Sequence, residues 1–517
     1  MLAAVSCVIA LGLTSQASAE TLADAIALAY QNNPSLQAQR AAQRALDESW
    51  VQARTGWRPT LGLSSSASWQ ESRTPITERN GEDLDGDGRP DVLANGLPTI
   101  REQNSGSVSL RLSQPIWTGG RVAANVSAAE AEVLAGRENL RRIEQQILLN
   151  VITAYVDVRR DIEGLRIRNE NVQVLERQLE ESRARFEVGE ITRTDVAQSE
   201  ARLAAAQAQY QLAQSQLATS RANYAAVVGQ NPGDLAPEPS LAALLPSDPD
   251  QVFDAVEQFN PNIRAAEYTE QASRARIAGA RAERLPNVSV DASLGHSGGR
   301  LDPFDRRDYS RNVTATATVS VPLFSGGLVS SRIRQSVERN NVDRLNVEIN
   351  RRTALQQATQ SWNALQAARA NIVSTEEQVR AARIAAEGTR QEQQVGLRTT
   401  LDVLNAEQEL RAAELSQINA RREEYVAATS VLGAMGRLEA QNLVAGVQIY
   451  DPETNFRKLR FTWGWVPWEE PISVIDSLLT PQPVEKPEPP AVTATPAAAG
   501  PPEAPAPAPA APTAPGQ

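Results

Sequence analysis

The chain has 517 residues, 41% of them hydrophobic but only 4% aromatic, with a mean hydropathy of −0.37 and a formal net charge of −11. Bulky residues are too sparse for one compact globule of this length, and the alanine, glutamine, arginine and glutamate that dominate the middle suit long helices packed along narrow seams. The negative balance disfavours nucleic acid as a partner, because affinity for a phosphate backbone comes from clustered cations.

Residues 1–19 form a short apolar run ending in Ala17-Ser18-Ala19, the small-residue pattern of a signal-peptidase site, so export and removal of this segment are expected. The single cysteine, Cys7, lies inside it. A mature chain from Glu20 would carry no thiol, which excludes disulfides, iron–sulfur clusters and cysteine nucleophiles. No later stretch reaches the roughly 20 consecutive apolar residues of a membrane helix, so any passage through a membrane must be made by strands.

From Glu20 the chain reads as two copies of one plan. The first, residues 20–243, has a helical stretch, a strand pair over 58–116 interrupted by an acidic loop at 71–104, and a helical hairpin over 121–229. The second, residues 244–443, repeats the helix, a strand pair over 286–323 and a hairpin over 328–436. An offset of 207 joins Trp117 to Phe324 and Asp195 to Asp402, whereas NNPSLQA at Asn32 and RPTL at Arg58 meet FNPNIRA at Phe259 and LPNV at Leu285 with an offset of 227. Landmarks at constant spacing mark an internal duplication, with about 20 extra residues in the first strand pair.

Pro59 and Pro286 stop the leading helices, and runs of period two follow. In the first repeat Leu61, Leu63, Ala67 and Trp69 alternate with Gly62, Ser64, Ser66 and Ser68, and Val108, Leu110 and Leu112 alternate with Ser107, Ser109 and Arg111. In the second, Val288, Val290, Ala292 and Leu294 alternate with Ser289, Asp291 and Ser293, and Val313, Ala315, Ala317 and Val319 alternate with Thr314, Thr316 and Thr318. These are four strands, each apolar on one face and polar on the other. Four strands cannot close a membrane barrel, which starts at about eight, so an oligomer is required if lipid faces them.

Each strand pair ends in the same way. SQPIWTGGR carries Pro115, Trp117, Gly119 and Gly120, and SVPLFSGGL carries Pro322, Phe324, Gly326 and Gly327. A proline can occupy a last strand residue, where a ladder donor is dispensable, and a glycine pair lets the chain turn from a strand into a helix. Trp57, Trp117 and Phe324 fall at strand ends on one side, as aromatics at a membrane interface or as packing at the strand-to-helix joint. Beyond each joint about 65 residues run without proline to Gly189 or Gly396, roughly 100 Å of helix, and about 35 more follow. At the returning starts Thr192 precedes Asp195 and Thr399 precedes Asp402 by three, the spacing of a capping box. That accounts for both aspartates locally. The functional alternative is that the tips converge in an oligomer, where the carboxylates and Arg398 form an electrostatic constriction.

The duplicated order of helix, strand pair, proline-aromatic-Gly-Gly and helical hairpin, with VGLRTTLDVLNAEQEL at the second tip, resembles the TolC family of outer-membrane efflux and secretion ducts over about residues 20–443. The resemblance implies a mainly α fold with transmembrane β structure, a homotrimer in which each protomer gives four strands to a 12-stranded barrel in outer-membrane lipid, continued by a long periplasmic α-helical barrel. It implies a passive exit duct of a tripartite efflux pump or type I secretion system, opened at its periplasmic end on docking a periplasmic adaptor (membrane fusion) protein and an inner-membrane RND or ABC transporter. By the same resemblance Asp402 matches the first acidic residue of a selectivity ring, Arg398 the arginine that ties neighbouring hairpins, and Thr194 and Asp195 its partners on the first hairpin. Two positions depart from the family pattern: Asn405 stands where a second ring aspartate is found, and Gln393 where a tyrosine makes a gate hydrogen bond.

The extra loop contains GEDLDGDGRPDVLANG, in which Asp83, Asp85, Asp87 and Asp91 occupy positions 1, 3, 5 and 9 of an EF-hand-like loop with Gly88 at the turn. Oxygen ligands at that spacing suit calcium, and with Ala94 at position 12 any such site would be weak or completed elsewhere; the other reading is a solvated acidic loop. No cofactor is otherwise required. The one histidine, His296, is placed in a surface loop, and no nucleophile-base pair or phosphate-cradling loop is present, so an enzyme is not expected. A soluble periplasmic coiled-coil adaptor or scaffold is the competing reading, and it leaves the amphipathic strands without a role. Residues 444–480 are aromatic-rich, and residues 481–517, almost only Pro, Ala, Glu, Thr and Val, are expected to be disordered.

Overall fold

A computed structural model of the chain describes residues 19–74, 78–79, 86–88, 92–93, 99–299, 309–444 and 446–478. The leader, Asp83, Asp85 and Asp91 of the acidic loop, and the Pro/Ala-rich tail lie outside the described residues.

Each repeat opens with two helices divided by an asparagine. In the first, α1 (Leu22–Asn32) starts at the Thr21–Asp24 capping box and gives way at Asn33 to α2 (Pro34–Arg54). In the second, α5 (Pro249–Phe259) gives way at Asn260 to α6 (Pro261–Ala282). Both asparagines are extended N-caps followed by proline at the first helical position, where a missing amide costs nothing. The hairpins are α3 (Arg121–Glu187) with α4 (Arg193–Val228), and α7 (Leu328–Gln394) with α8 (Thr400–Ala434). The 67 residues of α3 and of α7 each make a rod of about 100 Å. Three short helices follow among the described residues: α9 (Ala440–Leu443), α10 (Pro452–Leu459) and α11 (Glu469–Ser477). No helix among the described residues is long and apolar enough to cross a membrane.

The few bulky apolar residues are concentrated at one level. There Leu148, Ile152 and Tyr155 of α3 meet Leu22 and Ile26 of α1, Val252 and Val256 of α5, Tyr224 and Val228 of α4, and Val431 and Leu432 of α8. Tyr155 donates its hydroxyl to the carbonyls of Ala236 (2.6 Å) and Glu20 (3.0 Å), and Tyr224 donates to Glu20 Oε1 (2.6 Å), so the polar ends of the buried rings are satisfied. Toward the hairpin tips the core thins to small sets such as Leu175, Ala206 and Leu404.

The strands β1 (Thr60–Thr74), β4 (Thr99–Trp117), β5 (Asn287–Gly298) and β6 (Tyr309–Ser320) form one antiparallel sheet in the order β1-β4-β5-β6. Two-residue strands β2 (Glu78–Arg79) and β3 (Val92–Leu93) pair with each other in the extra segment. The β1–β4 ladder runs on through Thr74↔Thr99, into the stretch that the sequence reads as loop. Beyond Trp69 the apolar alternation stops, as in Glu71↔Glu102 and Ser72↔Arg101, so the face pattern ends before the hydrogen bonding does. His296 is likewise not in a loop: it is a β5 residue opposite Val108 and Arg311, and the sequence reading missed it because a lone polar residue broke the apolar alternation.

Candidate functional site

The registers place Leu61, Leu112, Ala292 and Ala315 in one row across the sheet, and Leu63, Leu110, Leu294 and Val313 in the next. Intervening residues face the other way and are polar. Ser64, Ser66 and Ser68 form hydroxyl hydrogen bonds with Ser109, Ser107 and Ser105 at 2.7–2.8 Å, and Arg111 pairs with Asp291 at 3.3 Å. Both faces are solvent-exposed in the protomer, with Leu63 at 73% and Val313 at 68%. Among the described residues β1 and β6 each leave one edge unpaired. A sheet with one apolar face, one hydroxyl-rich face and two open edges fits a wall between lipid and water that further copies complete.

At the first joint the ladder shifts register between Pro115 and Trp117, a β-bulge at Ile116 directly after the residue that cannot donate. Gly119 and Gly120 then take φ of 68° and 83°, left-handed values that a side chain resists, and Gly326 and Gly327 do the same at 61° and 83°. The two joints differ in their surroundings. Thr118, Gly119 and Gly120 are buried, whereas Pro322, Leu323 and Phe324 stand open, Phe324 at 91% exposure. Trp57 is buried against Val122 and Ile472, so of its two readings it takes packing at the joint. Trp117 is half-buried.

What covers the first joint is the C-terminal segment, whose role the sequence did not indicate. Asp476 of α11 is fully buried and accepts from the amides of Thr118 (2.7 Å), Gly120 (3.1 Å) and Ala123 (3.3 Å), the Thr118 hydroxyl (3.0 Å) and Trp57 Nε1 (3.1 Å). A carboxylate thus occupies the mouth of α3, where free amides and the helix dipole favour negative charge. Glu469, also buried, pairs with Arg54 (2.7 Å) and Arg58 (2.8 Å). The available signal was Ile472 and Asp476 one helical turn apart, an acid on the apolar face of a short helix.

At the tips α3 and α7 end in left-handed Gly189 and Gly396, with Glu190 N bonded to the Arg185 carbonyl (2.9 Å) and Leu397 N to that of Glu392 (2.8 Å). Both returning helices start with full capping boxes: Thr192 N to Asp195 Oδ2 is 2.9 Å and Thr399 N to Asp402 Oδ2 is 3.0 Å. The Thr192 amide and hydroxyl hold the Asp195 carboxyl below its ordinary value, and the Thr399 hydroxyl and amide, helped by Arg398, do so for Asp402. Thr194 is exposed. Arg398 pairs with Glu392 of its own hairpin at 2.8 Å, rather than with the other hairpin. Polar links between the hairpins come from other residues: Arg202 of α4 donates to Asn405 Oδ1 (3.1 Å) and to Gln408 of α8, and further from the tips Arg422 of α8 pairs with Asp157 of α3 at 2.8 Å. Asn405 therefore has a partner that the sequence reading did not anticipate. Gln393 is buried, and its Nε2 has no hydrogen-bond partner among the described residues. Of the loop aspartates only Asp87 is described, beside Gly86 and Gly88.

Comparison with known proteins gives a consistent picture. Residues 25–230 and 252–437 match the outer membrane efflux protein family, one segment in each repeat. The chain is 33% identical over 454 residues to the outer membrane efflux protein BepC of Brucella suis, covering 87% of this chain and 93% of that protein. It is 27% identical over 400 residues to the alkaline protease secretion protein AprF of Pseudomonas aeruginosa, covering 76% and 79%. The crystal structure of the outer membrane protein VceC of Vibrio cholerae shares the fold at a TM-score of 0.65 and 24% identity, over 80% of this chain and 96% of that one.

Proposed function

The chain belongs to the outer membrane efflux protein family, the TolC-like channels, and from that premise we propose that three copies close a 12-stranded barrel and act as one passive duct. Its place is the outer membrane, and its function is to be the exit duct of an efflux or type I secretion system. The observation that carries the trimeric reading is the sheet: four strands with two open edges, an exposed apolar face and a hydroxyl-rich face. Closure of three such sheets satisfies the edges and puts the apolar rows in lipid and the serine and threonine rows in the lumen. The helical rods then continue the lumen into the periplasm. At their far end the tips carry Asp195 and Asp402, ionised and fixed by their caps, and Arg398, whose guanidinium is exposed for a neighbouring copy.

In this reading a periplasmic adaptor and an inner-membrane RND or ABC transporter dock at the tips and widen them. The Arg202 link between α4 and α8 is a contact near the tips within the protomer that docking would loosen. A soluble coiled-coil adaptor would share the rods but would have no use for the sheet. The experiment is to purify the chain from membranes and reconstitute it in planar bilayers. A heat-resistant trimer that conducts in steps is the expected result, and a soluble, non-conducting monomer would overturn the reading.

A further inference from the structure

The segment that seals the first joint has a second face. On α11 the side toward the protein holds Glu469, Ile472 and Asp476, all buried, while Val474, Ile475 and Leu478 point away and are exposed, Leu478 at 73%. The turn before it carries Phe461 at 67% and Trp463, fully exposed. Its height and side are fixed by two contacts. Trp468 Nε1 donates to Gln114 Oε1 at 3.1 Å, and Ile472 packs with Trp57 and Ile116. Gln114 shares its face with Leu110 and Leu112, and sits opposite Val290, whose own partner is Ala317. The strap therefore lies on the lipid side of the sheet, at the level of the Val290 and Ala317 row, among the last apolar rows before the helices.

We propose that residues 461–478 are a membrane-contacting strap, whose aromatic and apolar face enters the inner, periplasm-facing leaflet of the outer membrane and extends the lipid contact of the barrel onto the top of the helical rods. The occupant is lipid because the face is continuous with the apolar rows and because aromatic rings favour the headgroup boundary. Exposed Arg457, Lys458 and Arg460 precede Phe461; Arg457 and Arg460 also pair with Asp451 and Glu470, and the cations lie where lipid phosphates would be. The inference rests on the barrel reading above.

The test uses the full chain in a Cys7→Ser background, with a nitroxide label at Trp463→Cys or Leu478→Cys, reconstituted in vesicles of phosphatidylethanolamine and phosphatidylglycerol. Val319→Cys on the apolar face and Val188→Cys at a hairpin tip serve as references. Labels at 463 and 478 should follow the 319 label, colliding with oxygen several-fold more readily, relative to a water-soluble nickel chelate, than the 188 label does. A 463 label as open to nickel as the 188 label overturns the proposal. So does one shielded from both quenchers, which would mean that a neighbouring copy covers the strap. A 319 label in water overturns the barrel reading together with this one, whereas 319 in lipid with 463 in water overturns this one alone.

Discussion

The Asp476 carboxylate lies 2.7 Å from the Thr118 amide, joining the last turn of α11 to the point where strand β4 becomes helix α3. The Thr118 and Trp57 side chains and two more amides converge on the same carboxylate. Asp476→Ala leaves these donors buried without an acceptor, a cost of about 3 kcal/mol. The segment should detach, and trypsin should cut at exposed Arg457 and Lys458 much faster than in the parent protein. Unchanged digestion would count against Asp476 as the anchor.

Asn33 and Asn260 each cap a helix and also donate Nδ2, at 2.9 Å, to a carbonyl near the end of the returning helix, Val227 in one repeat and Ala434 in the other. Aspartate is as good an N-cap as asparagine, but it cannot donate to a carbonyl. Asn260→Asp should therefore destabilise the protein by about 2 kcal/mol and be no milder than Asn260→Ala, as read by thermal unfolding in detergent. Full tolerance of aspartate would reduce the residue to a cap.

Burial pushes the Glu144 carboxyl up to about 7, with Glu439 adding to the rise against the Ala440 amide, Arg40 and Arg141. Between the ordinary carboxylate value and 7 the folded chain keeps a proton that the unfolded chain has released. Stability from this group is therefore present at low pH and lost as pH rises through that window, by roughly 3 kcal/mol at most. Glu144→Gln should raise the melting temperature more at pH 8 than at pH 5, and an equal shift at both would exclude the linkage.

Arg202 is a polar bridge between the two hairpins, closer to their tips than the Arg422–Asp157 pair, through Asn405 and Gln408. Arg202→Ala should raise the conductance of the channel in planar bilayers while leaving trimer stability within about 1 kcal/mol, because exposed polar pairs contribute little to folding. Parent-like conductance would place the restraint elsewhere.

Asp402 is ionised below the usual aspartate range because Thr399 bonds its charged form. Asp402→Asn should lower the cation preference of the channel, measured as a reversal potential in a salt gradient, and the difference from the parent should persist at pH 4. Identical selectivity in the two proteins would leave Asp402 with helix capping alone.

The plan of the chain was legible because it repeats. Constant offsets at Trp117 and Phe324 and at Asp195 and Asp402 exposed the duplication, and period-two runs gave the strands and their faces. The capping boxes were readable because a hydroxyl and a carboxylate three residues apart act on their own backbone. His296 was misplaced, and the ladder beyond Trp69 was overlooked, because there the pairing strand rather than the local pattern holds the chain extended.

The sequence by itself determined the two repeats, the strand faces, the helix ends and the family, all of which depend on residues within a few positions of each other or on a copied order. Only the tertiary structure decided that the two joints differ, that Arg202 and Arg422 reach the other hairpin within a protomer while Arg398 pairs inside its own, and that Asp476 closes the mouth of α3 from 358 residues away. Those contacts join segments far apart in the chain, and no local periodicity records which buried carboxylate will meet which free amides once the helices have packed.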